Sequence, residues 1–283
     1  MKTFLNKWVP ALVLLLLLPG IARAADVGKE SVYDRVMRIG TIRCGYFLWP
    51  PFLEKDVNTG KMSGASYDIM EEIGKQLSLK IDWAEEINFA SMFEGFASGR
   101  YDMICGPMSP TPARARASDF TIPLFYTTYD LYVGGKDTRF DKNRAALNDP
   151  AHKFAGLDGE FTSIIAQEDY PRATYFSVPQ LSDASQLLMT LATGKADVTV
   201  TDPMTANKFM EQNPGKIRRL PGPSARVLAV TFAIPLGEER FKTMLNLASQ
   251  SLLDSGFVER ILEKYPTADK TMLRVAKPYE VQK

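Results

Sequence analysis

Gly194-Lys195-Ala196-Asp197-Val198-Thr199-Val200-Thr201-Asp202-Pro203 is the stretch whose reading decides the fold. Its Val and Thr run reads as a strand over residues 197–201, because β-branched side chains favour the pleated backbone. Asp-Pro then reads as a helix start, with Asp202 at the N-cap and Pro203 first in a helix over 203–211. A strand running straight into a helix is the repeating unit of parallel-sheet proteins, whose small ligands bind at such turns. The pattern also stands 88 residues earlier, where Met103-Ile104-Cys105 leads into Ser109-Pro110-Thr111-Pro112-Ala113-Arg114. Arg114 thus sits where a helix should begin. A guanidinium grips a carboxylate through two parallel hydrogen bonds, and a carboxylate holds an ammonium. Facing each other, Arg114 and Asp202 would recognise the two ends of a free α-amino acid. The plainer alternatives are a capping role for Asp202 and a surface position for Arg114.

Outward from these turns the alternation continues. Strands are expected over 41–45, 80–83 and 102–105, with helices over 68–77 and 91–98. Residues 46–52 read as a turn, and Asn58-Thr59-Gly60-Lys61 as a reverse turn. The alternation restarts after Tyr132-Val133-Gly134-Gly135. Strands follow at 153–157, 173–176 and 197–201, and helices at 161–167, 182–193 and 203–211. A strand over 227–234 and helices over 238–255 and 257–265 close the chain. Two α/β units in series predict two lobes, each a mostly parallel sheet flanked by helices, and clefts between lobes favour small molecules.

Residues 1–24 read as a secretory signal. Lys2 and Lys7 precede an apolar run over 11–18, and Ala22-Arg23-Ala24 fits a cleavage site. The run is short for a bilayer span, and no Cys follows the cleavage site to carry a lipid. Cleavage would remove three basic and no acidic residues, taking the formal charge from +1 to −2. That balance points away from nucleic acid or an anionic membrane as partner. Cys44 and Cys105 fall in expected strands. Two buried thiols are the favoured expectation and a disulfide the alternative, since bridges across adjacent strands are uncommon. The single histidine, His152, is expected in a loop and excludes a His-rich metal site or a Ser-His-Asp triad. No cofactor or metal is expected.

Several pieces in order resemble one family. They are Trp49-Pro50-Pro51-Phe52, the segment 89–102, and Thr111-Pro112-Ala113-Arg114 followed by Asp119-Phe120-Thr121-Ile122-Pro123. Gly194-Lys195-Ala196-Asp197, Asp202 and the ending from Gly256-Phe257 to Lys264-Tyr265 complete the set. From about residue 31 to 265 the chain resembles the extracytoplasmic solute-binding proteins of polar amino-acid ABC transporters, family 3 type. The resemblance implies a two-lobed periplasmic-binding-protein-like fold of type II. Residues 25–132 and the returning 229–283 would form lobe one, and residues 133–228 lobe two. It implies Arg114 for the ligand carboxylate, Asp202 for its ammonium, Trp49 and Phe89 as an aromatic sandwich, and Ser109 as a polar contact. A monomer in the periplasm, handing a small amino acid or related amine to a membrane permease, is the implied setting.

Two departures stand out. Where the family usually offers Gly-Thr-Thr to the carboxylate, this chain has Gly159-Glu160-Phe161-Thr162-Ser163. Thr162 keeps a hydroxyl there, but Glu160 would repel a carboxylate, pair with Arg114, or meet a cationic ligand group. Three positions before Trp49, where members that bind basic amino acids often carry an acid, stands Tyr46. With Trp49 and Phe89 it would make an aromatic pocket for an apolar or a cationic group. The resemblance implies a binding protein rather than an enzyme. One competing reading is a cyclohexadienyl dehydratase acting on prephenate or arogenate, with Glu160 as general acid. Another is a sensor component that passes its ligand to a receptor.

Overall fold

The computed structural model describes residues 30–265 and 271–275. The signal segment expected over 1–24 lies outside them. In chain order come α1 (Val32–Ile39), β1 (Thr41–Tyr46), β2 (Glu54–Lys55), β3 (Met62–Ser63), α2 (Ala65–Gln76), β4 (Lys80–Glu86), α3 (Glu94–Ser98) and β5 (Met103–Met108). After a 3₁₀ turn at Arg114–Arg116 follow β6 (Ser118–Phe120) and β7 (Phe125–Gly134). Next are β8 (Lys153–Leu157), α4 (Phe161–Asp169), β9 (Thr174–Val178), α5 (Ala184–Ala192), β10 (Val198–Thr201), α6 (Pro203–Gln212) and β11 (Ile217–Arg219). The described chain closes with β12 (Arg226–Pro235), α7 (Glu239–Asp254), α8 (Phe257–Lys264) and β13 (Met272–Leu273).

Two parallel sets of three strands lie at the ends of the sheet path, β4-β1-β5 and β10-β8-β9. Between them run β12 and β7, antiparallel to each other. Each of these ten-residue strands pairs with the other along one half and with a neighbouring set along the other half. Residues 125–129 of β7 pair with 226–230 of β12, whereas 130–133 pair with β10. The far half of β12 turns to β5 and β6. The stretch Tyr132-Val133-Gly134, read from sequence as a join, is therefore the end of a continuous strand. The β-branched and aromatic residues over Phe125-Tyr126-Thr127-Thr128-Tyr129 carry a strand signal that the sequence reading did not use.

Helices pack against both faces, and the inner parallel strands β5, β8 and β10 are buried along nearly their whole length. In the first set Ile42, Ile69, Ile73, Phe241, Leu245 and Leu252 are fully buried together. In the second, β8 contributes Ala155 and Leu157 to one core and Phe154 to the other. Local signals fix the ends. The Ser31 hydroxyl accepts from the Asp34 N–H to start α1, and Gly40 at φ 72° ends it. α3 is shorter than the helix expected over 91–98, because the Asn88 side chain accepts from the Ser91 N–H at 3.1 Å and holds a turn there. Gly95 lets α3 approach the sheet: a Cβ would come 2.0 Å from the Tyr101 ring.

Cys44 and Cys105 are joined as a disulfide, which corrects the expectation of two thiols. β1 and β5 are parallel neighbours, and the Cα atoms are 5.5 Å apart, within the span a bridge requires. His152 sits before β8 with its ring edge-on to Phe140 at 4.8 Å. Among the described residues no His, Cys, Asp and Glu cluster could hold a metal, and no helix is long and apolar enough to cross a membrane.

Candidate functional site

The carboxyl ends of both parallel sets open onto one cavity, as expected where strands feed into helices. Trp49 comes from the turn after β1, Phe89 from the loop after β4, and Ser109 and Arg114 from the segment after β5. Glu160 and Phe161 start α4 after β8, and Asp202 lies between β10 and α6. β7 adds Thr127 and Tyr129 from the centre of the sheet. The free interior is about 40 Å³, room for a few water molecules.

Arg114 is buried and held on several sides. Its backbone N–H donates to Thr111 Oγ1 at 3.0 Å, and Nη1 donates to the Ser109 carbonyl at 2.9 Å. Nη2 donates to the Glu160 carboxylate in a buried ion pair. The guanidinium carbon also stands 6.0 Å from the centroid of the Phe161 ring. Of the readings left open for Glu160, pairing with Arg114 is the one found. The helix expected at Arg114 is only a three-residue 3₁₀ turn. A helix dipole therefore adds nothing there, and Glu160 is what balances its charge. Arg114 Nε is buried without a protein hydrogen-bond partner, and the second Glu160 oxygen makes no well-formed hydrogen bond, though the Gln180 amide lies close to it. Burial pushes the Glu160 carboxyl above its ordinary 4.5, against the opposing pull of Arg114.

Asp202 serves as a cap and faces the cavity at once. Oδ1 accepts from the Thr205 N–H at 2.8 Å. Oδ2 accepts from the Thr205 hydroxyl at 2.7 Å and from the Trp49 indole N–H at 3.0 Å. The residue is 1% exposed, and burial raises its carboxyl against the pull of these donors. The Phe89 ring meets Trp49 edge-on at 5.8 Å and leans on Phe47 at 4.7 Å. Lys208 Nζ donates to Glu54 at 3.0 Å and adds a further tie across the same gap.

Trp49, Phe89, Ser109, Arg114, Glu160 and Asp202 thus converge, whereas two expected residues do not. Tyr46 lies in a separate cluster with Leu53, Met62 and Trp83, and its hydroxyl accepts from Lys55 Nζ at 3.2 Å. Alternation along β1 turns its ring away from the cavity. The Thr162 hydroxyl accepts from the Leu157 N–H at 2.7 Å and braces the β8–α4 turn. Sequence reasoning missed Tyr129, whose phenol is raised by burial and by the Asp202 and Glu160 carboxylates. Its signal was the face it shares with Thr127 two residues away. Phe161 was passed over beside the more conspicuous Glu160.

A family model described as bacterial extracellular solute-binding proteins, family 3, matches residues 42–268. A probable amino-acid ABC transporter-binding protein of Haemophilus influenzae is 22% identical over 250 residues, covering 87% of this chain and 92% of its own. A probable histidine-binding protein of Campylobacter jejuni is 28% identical over 220 residues, covering 76% of this chain and 79% of its own. Among solved structures, an ancestral amino acid-binding protein described as a precursor of cyclohexadienyl dehydratase matches with a TM-score of 0.71 at 23% identity. That match covers 83% of this chain and 99% of the other. The fold is accordingly the two-lobed, type II periplasmic-binding-protein-like arrangement.

Proposed function

The chain belongs to the bacterial extracellular solute-binding proteins, family 3, and from that premise we propose that it captures a small amino acid or related amine between its lobes and delivers it to an ABC permease. The observation that carries this reading is the convergence of Arg114, Asp202, Trp49 and Phe89 on one cavity between the strand sets. In this reading lobe one comprises residues 25–132 and 229–283, lobe two residues 133–228, and β7 and β12 form the hinge. Ligand favours the closed form because only that form offers groups from both lobes. The protein acts as a periplasmic monomer, exported by cleavage after residue 24, and has no catalytic role.

A thermal-shift panel of amino acids, amines and betaines tests the reading after native ligand has been removed by partial unfolding and refolding. A ligand at a hundred times its Kd stabilises the folded state by about 2.7 kcal/mol. A clear rise in Tm with one chemical group of ligands supports capture, and no rise with any of them contradicts it.

The raised, buried Glu160 carboxyl in the cavity favours one second reading, a dehydratase in which it protonates the departing hydroxyl of prephenate as water while loss of the ring carboxylate as carbon dioxide supplies the electron pair. Conversion of prephenate to phenylpyruvate, followed by absorbance, separates the two. Turnover lost in Glu160→Gln would support the enzyme, and its absence from the intact protein would eliminate it.

A further inference from the structure

We infer that the cavity selects a monocationic amine lacking a free carboxylate, with Glu160 standing where a ligand carboxylate would otherwise meet Arg114. This narrows the amino-acid or amine reading given above and rests on it.

The inference starts from a charge count. Arg114, Glu160 and Asp202 are the charged residues lining the cavity. Arg114 and Glu160 are in contact and cancel. Asp202 has neutral donors only among its hydrogen bonds: the Thr205 N–H and hydroxyl and the Trp49 indole. The cavity is therefore left with one negative charge, on a carboxylate that is itself 1% exposed. A charge so placed is costly unless paired, and a single positive charge on the ligand pairs it. A zwitterion brings no net charge, and its carboxylate would have to displace Glu160 from Arg114 or sit against it.

The walls and the unpartnered atoms agree with this count. Trp49, Phe89, Tyr129 and Phe161 offer ring faces and edges around a small space, and cations bind well against such faces. The Glu160 oxygen that Arg114 leaves free has only the Gln180 amide nearby, without a well-formed hydrogen bond, and is an acceptor for an ammonium N–H. The unpartnered Arg114 Nε–H calls for an acceptor. A ligand hydroxyl supplies one without adding a second negative charge, so amino alcohols suit the site.

The test is calorimetric titration with matched pairs that differ by one carboxylate: methylamine and glycine, ethanolamine and serine, phenethylamine and phenylalanine. The unmodified protein is expected to bind at least one amine tenfold or more tightly than its amino-acid partner. Glu160→Gln, checked for folding by its melting curve, is expected to reverse that preference. An amino acid bound as tightly as its amine, or more so, overturns this inference while the capture reading stands. An amine preference unchanged in Glu160→Gln also overturns it, because Glu160 would then not be the internal counter-ion. Silence from every pair overturns this inference, and the wider thermal-shift panel then decides whether the capture reading falls with it. The comparison within each pair on the unmodified protein holds even if the variant fails to fold.

Discussion

The Trp49 indole donates to Asp202 Oδ2 at 3.0 Å, joining two residues 153 positions apart. The bond ties the turn after β1 to the N-cap of α6 and crosses the same cavity as the Arg114–Glu160 pair. The protein's own side chains therefore bridge the cavity at two places. Asp202 is held by an indole and Arg114 by a carboxylate, so both charged groups already have partners within the protein.

Trp49→Phe keeps a ring against Phe89 and removes the donor to Asp202. A hydrogen bond to a charged group is worth about 1.5–3 kcal/mol, or roughly ten- to a hundredfold in affinity. We expect ligand affinity to fall within that range and the ligand-free radius of gyration, from small-angle scattering, to rise. Both quantities unchanged would mean that the bond holds nothing closed.

Arg114→Met leaves Glu160 buried without its counter-ion. Removing one member of such a pair costs on the order of 3–5 kcal/mol, mostly from the charge left behind. Arg114→Met combined with Glu160→Gln should recover a large part of that loss in urea unfolding. Additive losses in the double variant would show that the two groups are not coupled in solution.

The raised Glu160 and Asp202 carboxyls set the sign of a pH dependence. Where the folded pKa exceeds the unfolded one, the folded state holds more protons, so stability falls as pH rises through that window. For Glu160 the window opens near 4.5 and extends upward to its raised folded value. The stability of the unmodified protein relative to Glu160→Gln should therefore decline as pH increases from 4.5. A relative stability that rises over this range would mean that the Arg114 attraction outweighs burial.

The Cys44–Cys105 bridge joins residues 61 positions apart in the first core. Loop-closure entropy assigns such a cross-link about 4 kcal/mol. Replacing both cysteines with alanine should lower Tm markedly and leave ligand affinity nearly unchanged, since neither residue lines the cavity. A large loss of affinity would instead mean that the bridge sets the position of Trp49 or Arg114.

Local chemistry made much of this legible in the chain. Val198-Thr199-Val200-Thr201 could hardly be other than a strand, and Asp202-Pro203 starts the helix that follows it. The two α/β series, and the turn positions of Arg114 and Asp202, follow from such short-range signals. Tyr46 and Thr162 were misplaced because their directions depend on strand alternation and on one hydroxyl bonding back to Leu157. Tyr129 was missed because its place in the cavity comes from a strand shared by both sets.

The sequence by itself determined the fold class, the strand-to-helix turns and the residue types brought to the site, because these rest on backbone preference and capping within a few residues. Only the tertiary structure decided that Cys44 and Cys105 are bonded, that Glu160 occupies Arg114, and that Trp49 reaches Asp202. Each is a contact between residues 46 or more positions apart. Such contacts depend on the register of strands that meet only after the chain has folded, and short-range propensity carries no information about that register.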